Sequence, residues 1–476
     1  MIEKELLIWY NLGVRSKNTI RRSPVNSLKD TALESNPYMK INFDGGDLSS
    51  DAGLLLIKEF AAKVGLVRLI YSLFQTNDTA SFRIHIDPEN LLQMIYQTIA
   101  AYFEDDCADE LTVDPVFTAI LDKQALASQP TISRFFNRMD ESTLKQFDMI
   151  EQKMRDIVYA IKPPEHMVFD LDSTLLNTYG RQEGEAFNYH YQSHGYHPLL
   201  CFDGITGDLL KAQLRDGTHY CSRDADLFMI PLLQEYREKY PSLPLYLRGD
   251  SGFASPDLYK ACEDNDCKYA IRLKVNKTLL TLAQDEADEL RRVTKDNMVD
   301  YAVTYGEFVY QAGSWPHPRC VVFKIEKPAG QMIFLYTFIV TAMESEPYQV
   351  IRFYCGRGKM ENFIKEGKEG FGFCAVSSST KVVNANRLQL HTLAYNLFNW
   401  FRRLALAAKM RKLRIDTVRL KLLKIATRVV RSARYTTFKL CAAAHIRMSF
   451  TKHFKTFGSY SHSWNSIVLQ CTLTVL

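Results

Sequence analysis

The sequence has no apolar run long enough to cross a lipid bilayer and no layout typical of a secretory signal. Its longest nearly uninterrupted apolar stretch runs from Met332 to Met343, well short of the roughly 20 residues that a membrane-spanning helix needs. That stretch predicts a buried strand instead. Residues 1–30 mix Glu, Lys and Arg with apolar residues, which is not a signal-peptide pattern. We therefore expect a cytoplasmic protein with no membrane partner.

The sequence also lacks Cys-x-x-Cys pairs, although it contains ten cysteines. The closest two, Cys262 and Cys267, do not have the spacing of a structural zinc site, so reduced cytoplasmic thiols are the better interpretation. With 46% hydrophobic and 24% charged residues, the chain is neither disordered nor collagen-like. Its 476 residues suggest about three domains, at roughly 150 residues per domain.

Acidic residues are nearly absent from the C-terminal part of the chain. From residue 386 to the end there are seventeen Lys or Arg and one acid, Asp416. This segment therefore carries a formal charge of +16, while residues 1–385 carry −11. A polyanionic partner for the basic end would account for this polarity. A solvated basic helix is the alternative, and charge alone does not decide between the two.

The hydrophobic periodicity changes along the chain. From about Asp51 to Ile157, apolar residues recur at helical spacing. After Pro163-Pro164, short apolar runs alternate with helical stretches, which predicts an α/β fold with a mixed sheet flanked by helices. Residues 299–342 are β-rich, and from Arg387 onward the pattern is helical and basic.

Within the first helical region, Ser128 to Phe136 has the pattern of a helix that begins at a Ser or Thr cap. A short helix that opens with Thr131, Ser133 and Arg134 is suited to a DNA groove. An ordinary capped helix explains the same pattern, and we keep both interpretations.

Three acids occupy positions from which a sheet and a helix could deliver them to one site. Asp172 ends the apolar run that begins at Met167, and Asp250 ends the run that begins at Leu245. Glu361 lies in a polar segment, residues 354–368. Carboxylates that converge in this way bind hard divalent cations such as Mg²⁺, and a two-metal site performs phosphodiester chemistry. A single strand-end Asp is more often a turn or cap residue, so the prediction depends on the combination.

The polar segment carries the most specific pattern. Tyr354, Arg357, Glu361 and Lys368 are separated by 3, 4 and 7 residues, which places all four on one face if the segment is helical. A carboxylate flanked by Arg, Lys and a phenol suits a nucleic-acid phosphate. The alternative is a charged surface helix, and the glycines at 356, 358 and 367 argue against a helix.

With these residues in place, the sequence resembles the insertion-sequence DDE transposases that have a Tyr-x2-Arg-x3-Glu-x6-Lys signature, most closely their thirteen-eighty group. The resemblance extends from about Phe43 to Arg402. Besides the signature, the matching motifs are Asp44-Gly45, Ser50-Asp51-x-Gly53-Leu54, Glu104-Asp105, Asp109-Glu110-Leu111, Asp114-Pro115, Pro130-Thr131-Ile132-Ser133-Arg134, Asp170-Leu171-Asp172-Ser173-Thr174, Gln182-Glu183-Gly184 and Arg248-Gly249-Asp250-Ser251-Gly252-Phe253. Matches in this order are more specific than any single motif.

The resemblance implies a ribonuclease-H-like catalytic domain that is interrupted by a β-rich insertion. The expected segments are a mobile extension (1–40), a helical region that binds transposon ends (41–160), the first part of the catalytic core (161–275), the insertion (276–347), the closing helices of the core (348–410) and a basic helical C-terminal region (411–476). It further implies a homodimer in the complex with double-stranded DNA, because two element ends must be held together.

The resemblance also implies residue roles. Asp172, Asp250 and Glu361 would be catalytic and would bind two Mg²⁺ ions, with Mn²⁺ able to substitute. Tyr354, Arg357 and Lys368 would hold phosphates of the transposon end.

Trp315 lies within the insertion segment, where related enzymes stack an aromatic residue on a base flipped from the DNA end. A core or turn tryptophan is the alternative interpretation of Trp315.

The first acid has a competitor on its own strand. Asp170 shares a strand face with Asp172, because side chains alternate along a strand. We prefer Asp172, since the family's first acid is followed directly by small hydroxyl residues, as Ser173 and Thr174 follow here.

Two other functions remain as alternatives. The strand also fits the Asp-x-Asp-x-Thr motif of haloacid-dehalogenase-like phosphatases, with Asp170 as nucleophile and Asp172 as general acid/base. That function leaves the signature at 354–368 unexplained. The second alternative is a catalytically inactive, DNA-binding relative of a transposase. The expected function is a transposase that binds inverted-repeat ends, hydrolyses a phosphodiester at each end and joins the 3′-OH to target DNA.

Overall fold

In the computed structural model, residues 31–80, 82–295 and 299–442 are described. The chain divides into two compact units, Met1–Leu48 and Ser49–Leu476. The described part of the first unit contains an antiparallel hairpin of β1 (Thr31–Leu33) and β2 (Asn36–Ile41). The predicted extension thus contains regular structure over its last ten residues, and its first thirty lie outside the described residues.

The short strand β3 (Leu48–Ser49) contains the last residue of the first unit and the first residue of the second, and the second unit continues into the predicted helical region. Its helices are α1 (Leu54–Lys63), α2 (Leu66–Leu73), α3 (Asp87–Ile99), α4 (Cys107–Leu111), α5 (Pro115–Ile120), α6 (Gln129–Asn137) and α7 (Glu141–Ile161). Ser128 precedes α6 as predicted, but its side chain makes no capping hydrogen bond. Instead the Asp109 carboxylate accepts the Gln129 N–H at 2.7 Å.

A central sheet of eight strands has the order β12-β13-β14-β11-β10-β4-β8-β9. Its members are β4 (Met167–Ser173), β8 (Leu199–Asp203), β9 (Leu209–Gln213), β10 (Leu245–Gly249), β11 (Cys267–Leu273), β12 (Ala302–Tyr310), β13 (Arg319–Lys327) and β14 (Leu335–Thr341). The strands β4, β10 and β11 run parallel, and the other neighbouring pairs are antiparallel. The apolar runs that end at Asp172 and Asp250 form β4 and β10, the β-rich residues 299–342 contain β12, β13 and β14, and the mixed α/β fold is confirmed.

The predicted β-rich insertion differs from expectation in two ways. Its first part forms two helices, α10 (Lys277–Leu282) and α11 (Gln284–Val293). Its strands do not make a separate sheet, because β14 pairs with β11 and so extends the central sheet. Alternating side chains such as Val321, Phe323 and Val340 are fully buried in the main core, which makes this extension part of one hydrophobic interior.

Between β4 and β8 the chain forms a small three-stranded sheet of β5 (Leu176–Asn177), β6 (Ala186–Asn188) and β7 (Ser193–Tyr196). The remaining helices flanking the central sheet are α8 (Ala225–Lys239), α9 (Pro256–Asp264), α12 (Pro347–Cys355), α13 (Lys359–Phe371) and α14 (Lys381–Ala405). Helix α14 is almost entirely buried and covers the outer edge of β9, where Asn396 pairs with both backbone groups of Leu209. The Asn396 side chain thus provides hydrogen-bond partners for backbone groups of an edge strand that would otherwise be unpaired.

The C-terminal region was predicted to be helical, and this prediction is wrong for its described end. After α15 (Ala408–Arg411), α16 (Ile415–Val418) and a helical turn at Arg419–Leu423, the chain forms a hairpin of β15 (Thr427–Arg431) and β16 (Thr436–Leu440). In β15, the buried Thr427 and Val429 alternate with the exposed Arg428 and Val430, a two-residue period that the helical interpretation overlooked. Across the described ranges, the structure contains no helix that is both long and apolar enough to span a membrane.

Candidate active site

Two of the predicted acids lie side by side at one edge of the central sheet. The parallel strands β4 and β10 are neighbours in a register that pairs Leu171 with Gly249, so Asp172 and Asp250 follow at equivalent positions. One Asp250 oxygen accepts the Gly252 N–H at 2.8 Å and caps the short 3-10 turn that follows β10. The sheet therefore brings together two carboxylates that are 78 residues apart in sequence, as predicted.

The segment that carries the third acid is helical, which its spacing allowed but its glycines argued against. Helix α12 ends at Cys355, a 3-10 turn covers Gly356–Gly358, and α13 begins at Lys359, which places the exposed Glu361 in its first turn. Gly356 is required by packing, since a Cβ atom there would lie 2.3 Å from Nη1 of Arg248.

Arg357 lies between the two strand-end acids. Its Nη2 atom is 2.8 Å from Oδ2 of Asp172 and 4.0 Å from Oδ2 of Asp250. Burial raises the pKa of Asp172 to about 6; Arg357 opposes this shift, and the charges of Asp250 and Glu361 add to it. The edge of the sheet therefore concentrates negative charge that one guanidinium only partly balances.

This donor set is compatible with a hard divalent cation. Asp172 and Asp250 face one positively charged group from two sides, and Glu361 is near enough to raise the pKa of Asp172. In the arrangement described for residues 31–80, 82–295 and 299–442, no group of three or more His, Cys, Asp or Glu side chains is close enough to hold a metal ion. Arg357 supplies the positive charge that such an ion would bring.

Asp170, the competing first acid, has a different environment. Its side chain is 0% exposed, and both carboxylate oxygens accept hydrogen bonds of 2.6 Å from Arg248. Burial raises the pKa of Asp170, and Arg248 opposes that shift. A carboxylate enclosed in this way is available neither to a metal ion nor as a nucleophile, so the geometry favours Asp172 and disfavours the phosphatase alternative.

Tyr354 and Lys368 also face the acidic edge. The Lys368 ammonium donates to the Leu175 carbonyl at 2.8 Å and to the Thr174 hydroxyl at 3.3 Å, just after Asp172. Tyr354 is half-buried; burial raises its pKa, and Arg357 opposes the shift. Of the three predicted phosphate contacts, Arg357 and Lys368 are thus bound to the chain itself in this structure.

A cavity of about 600 Å³ opens beside Asp172 and Asp250. Its walls are formed by the small sheet, by the loop around residue 220 and by the turn after β10. The lining residues are Asp172, Ser173, Phe187, Asn188, Tyr189, His190, Tyr191, His197, Gly217, Thr218, His219, Tyr220, Cys221, Asp250, Ser251, Gly252 and Lys274. Sequence reasoning did not identify this wall, because residues between 187 and 221 become neighbours only when the small sheet folds back.

Trp315 is not part of this cavity. Its side chain is 7% exposed and packs edge-on against Tyr259 and Tyr310, with ring centroids 5.5 and 5.3 Å apart. The guanidinium of Arg319 lies over the Trp315 ring, 5.6 Å from its centroid. This environment favours the core interpretation over stacking on a DNA base.

Arg248 is the main site-supporting residue that sequence reasoning missed. It is the register partner of Asp170 on the neighbouring strand, and it also donates to the Phe353 carbonyl at 2.8 Å, just before Tyr354. Its position two residues before Asp250 was the available signal, since residues two apart on a strand share a face.

The basic C-terminal segment is only partly available to a polyanion. Several of its cations form ion pairs with acids elsewhere in the chain, and a paired cation is less available to bind a phosphate. These pairs are Arg387–Asp105, Arg402–Glu366, Arg403–Asp208, Arg414–Glu369 and Lys424–Asp51. Other cations, including Lys409, Arg411, Lys412, Arg428 and Lys439, are exposed.

The chain matches the family described as Transposase DDE domain group 1 over residues 31–460. It belongs to this DDE transposase family. No curated protein matches the chain. Among solved structures, it is similar to a chain in a cryo-EM structure of the piggyBac transposase synaptic complex with hairpin DNA, at 13% identity and a TM-score of 0.38, covering 79% of this chain and 80% of that one.

Proposed function

We propose that this DDE transposase cleaves the inverted-repeat ends of an insertion sequence by metal-dependent phosphodiester hydrolysis and joins the freed 3′-OH to target DNA. Membership of the family supports the reaction class. The main structural support for the site is the position of Asp172 and Asp250 at the ends of neighbouring parallel strands. A carboxylate oxygen of each lies within 4.0 Å of the same Arg357 nitrogen.

The strand arrangement supports a ribonuclease-H-like catalytic domain. The antiparallel strands β9, β8 and β4 continue into the parallel strands β10 and β11, with β4 in the middle of the five. In open sheets of this kind, ligands bind beyond the carboxyl ends of the parallel strands. Asp172 and Asp250 occupy that edge.

Asp172, Asp250 and Glu361 are the residues that would hold two Mg²⁺ ions, with Mn²⁺ as a substitute. Bound ions of this kind activate water or a 3′-hydroxyl and stabilise the leaving oxygen. A bound divalent ion would then offset the free-energy cost of burying the Asp172 carboxylate more fully than the single charge of Arg357 does. The guanidinium of Arg357, together with Tyr354 and Lys368, is proposed to hold phosphates at the cut end.

The exposed cations of the C-terminal segment are proposed to supply affinity for DNA of any sequence. Arg428 and Lys439 are register partners on the β15–β16 hairpin, and both are exposed. Each phosphate that such residues neutralise releases condensed counterions, so binding should weaken steeply with salt. The structure does not support Arg402 and Arg403 in this role, because their side chains pair with Glu366 and Asp208. We further propose that α1–α7 recognise the ends and that the DNA complex contains a homodimer.

The test is divalent-metal-dependent nicking of DNA from either flank of the reading frame. Asp250→Asn and Glu361→Gln should lose cleavage but retain a gel shift on the same DNA, because each removes a metal ligand and leaves the basic surface intact. Asp264→Asn is the matched control, since Asp264 is an exposed acid that pairs with Lys260 on the same helix. Near-normal cleavage by Asp250→Asn would sink the proposed site.

A further inference from the structure

The β15–β16 hairpin carries positive charge that the described part of the chain does not balance. From Thr427 to Leu440 it contains no acid and four cations, which are Arg428, Arg431, Arg434 and Lys439. Along the described chain, the last cation with an acidic partner is Lys424, before the hairpin. Arg428 and Lys439 are register partners, and like charges directly opposite each other destabilise a strand pair. An anion bound across the two strands would remove this repulsion.

The base and the inner side of the hairpin are anchored to the helical region. Just before β15, the Ile425 carbonyl accepts the N–H of Ala52 at 3.2 Å. Val429 is buried, and Arg431, two positions further on, donates to the Thr118 hydroxyl at 3.1 Å. The hairpin therefore presents its outer side in a fixed position, which lowers the entropy cost of binding a partner there.

Two cross-strand pairs form the outer side of the hairpin. Arg428 lies opposite Lys439, and two positions along the strand Val430 lies opposite Thr437. All four residues are exposed, and Arg434 is exposed in the turn beyond them. Residues two apart on a strand share a face and lie about 7 Å from each other. One surface thus has a pair of small side chains in its middle and long cations at both ends.

This surface suits the major groove of double-stranded DNA. That groove admits a two-stranded β-ribbon, whereas the major groove of A-form RNA is too narrow for side chains to read. The long cations can reach phosphates on either side of the groove, and the small side chains allow the ribbon to approach the base edges. An apolar methyl contacts the methyl group of thymine, and a threonine hydroxyl can donate to a base or accept from it.

We propose that the β15–β16 hairpin enters the major groove of the element end, where Arg428 and Lys439 contact phosphates and Val430 and Thr437 contact base edges. The inference rests on the proposed function, because the element end is the DNA whose sequence must be distinguished. It deepens that function: the cations add affinity for any DNA, whereas the small pair adds preference for the end sequence.

The test measures binding of the full-length protein to two duplexes by fluorescence anisotropy, without divalent metal. One duplex is taken from the flank of the reading frame, and the other is a scrambled sequence of the same composition. The double variant Val430→Ala, Thr437→Ala should lower the preference for the end duplex by about tenfold or more, because two base contacts are lost. Its affinity for the scrambled duplex should not change. Thr436→Ala is the matched control, since Thr436 is exposed on the other face of the same ribbon.

The cationic pair should behave in the opposite way. The double variant Arg428→Gln, Lys439→Gln should weaken binding of both duplexes by the same factor. Its salt slope should be shallower by about 2, since each phosphate contact contributes roughly 0.9. Melting curves must show that every variant is folded.

A thiol tether on the DNA identifies the groove. Thr437→Cys should form a disulfide with a thiol carried on N4 of cytosine, which lies in the major groove, as the tether is moved along the end duplex. It should not form one with a thiol on N2 of guanine, which lies in the minor groove. The unchanged protein gives the background from Cys441, an exposed thiol just after the hairpin.

Three results would overturn the inference: an unchanged end preference in the Val430→Ala, Thr437→Ala variant, a crosslink confined to the minor groove, or equal affinity of the unchanged protein for the two duplexes. Each of them leaves the cleavage proposal standing, because nicking is measured separately and depends on Asp250.

Discussion

Two aspartate–arginine pairs lie close together, with both aspartates on β4, and they have opposite characters. The inner pair, Asp170–Arg248, is sealed: Asp170 is 0% exposed and both its oxygens are bound. The outer pair, Asp172–Arg357, has one 2.8 Å contact, and the same arginine is shared with Asp250. Although they are only two positions apart on β4, Asp170 is therefore part of the core, whereas Asp172 could exchange Arg357 for another positive partner.

The main chain encloses the inner pair on both sides. A Cβ atom at Gly204 would lie 2.4 Å from Oδ2 of Asp170, and one at Gly356 would lie 2.3 Å from Nη1 of Arg248. A side chain at either position would have to displace the paired groups, so these two glycines allow the backbone to pack closely against the inner pair. The outer pair opens instead onto the 600 Å³ cavity, of which Asp172 and Asp250 are lining residues.

The largest predicted effect comes from breaking the inner pair. Asp170→Asn should lower the free energy of unfolding by about 3–5 kcal/mol, because it leaves the buried Arg248 guanidinium without its counter-charge. Asp172→Asn is the comparison and should fold normally. Denaturant unfolding followed by circular dichroism measures both. Equal stability of the two variants would contradict the distinction between the pairs.

A smaller effect is expected from metal binding at the outer pair. Mg²⁺ at about 100 times its dissociation constant should stabilise the folded protein by about 2.7 kcal/mol at neutral pH, because the ion binds only the folded state. Thermal melting with and without Mg²⁺ gives the shift, which should vanish in Asp172→Asn and in Asp250→Asn. A full shift retained by both variants would place the ion elsewhere.

The smallest effect concerns the pH dependence of stability. The Asp172 carboxyl has a pKa of about 6 in the folded protein and about 4 when unfolded, so the folded state holds its proton more tightly. Stability is therefore lost as the pH rises from about 4 to 6, and the cost persists above that range. Asp172→Asn removes this cost but also takes the nearest acid away from Arg357. Without metal it should therefore gain less than the roughly 2.7 kcal/mol of a two-unit shift, about 1–2 kcal/mol over the parent at pH 8, and little at pH 4. Melting at both pH values checks this, and a gain confined to pH 4 would reverse the sign.

Local patterns were sufficient to predict two strands that end in acids. The runs ending at Asp172 and Asp250 are apolar and strand-like, whereas their parallel pairing, which brings both ends to the same edge of the sheet, is seen only in the structure. The 3-4-7 spacing around Arg357 was compatible with a helical segment, and the structure accommodates Gly356 and Gly358 in a 3-10 turn.

Long-range pairing is what the sequence could not reveal. The charge of Arg403 is balanced by Asp208, 195 residues away, so a count of basic residues overestimated the surface available to DNA. The position of β14 beside β11 depends on a pairing across more than 60 residues, and the insertion therefore looked separate. The wall around His197 likewise forms only in the folded chain.

The most direct test of the central claim is metal rescue of nicking by Asp172→Cys. Thiolates bind Mg²⁺ poorly and softer ions better, so a cysteine in the place of a metal-binding carboxylate changes the metal that supports activity. We predict no nicking by Asp172→Cys with Mg²⁺ and restored nicking with Mn²⁺. Full nicking activity of Asp172→Cys with Mg²⁺ would contradict the account. So would an Asp172→Cys variant that is inactive with both metals, if Asp170→Cys regains nicking with Mn²⁺.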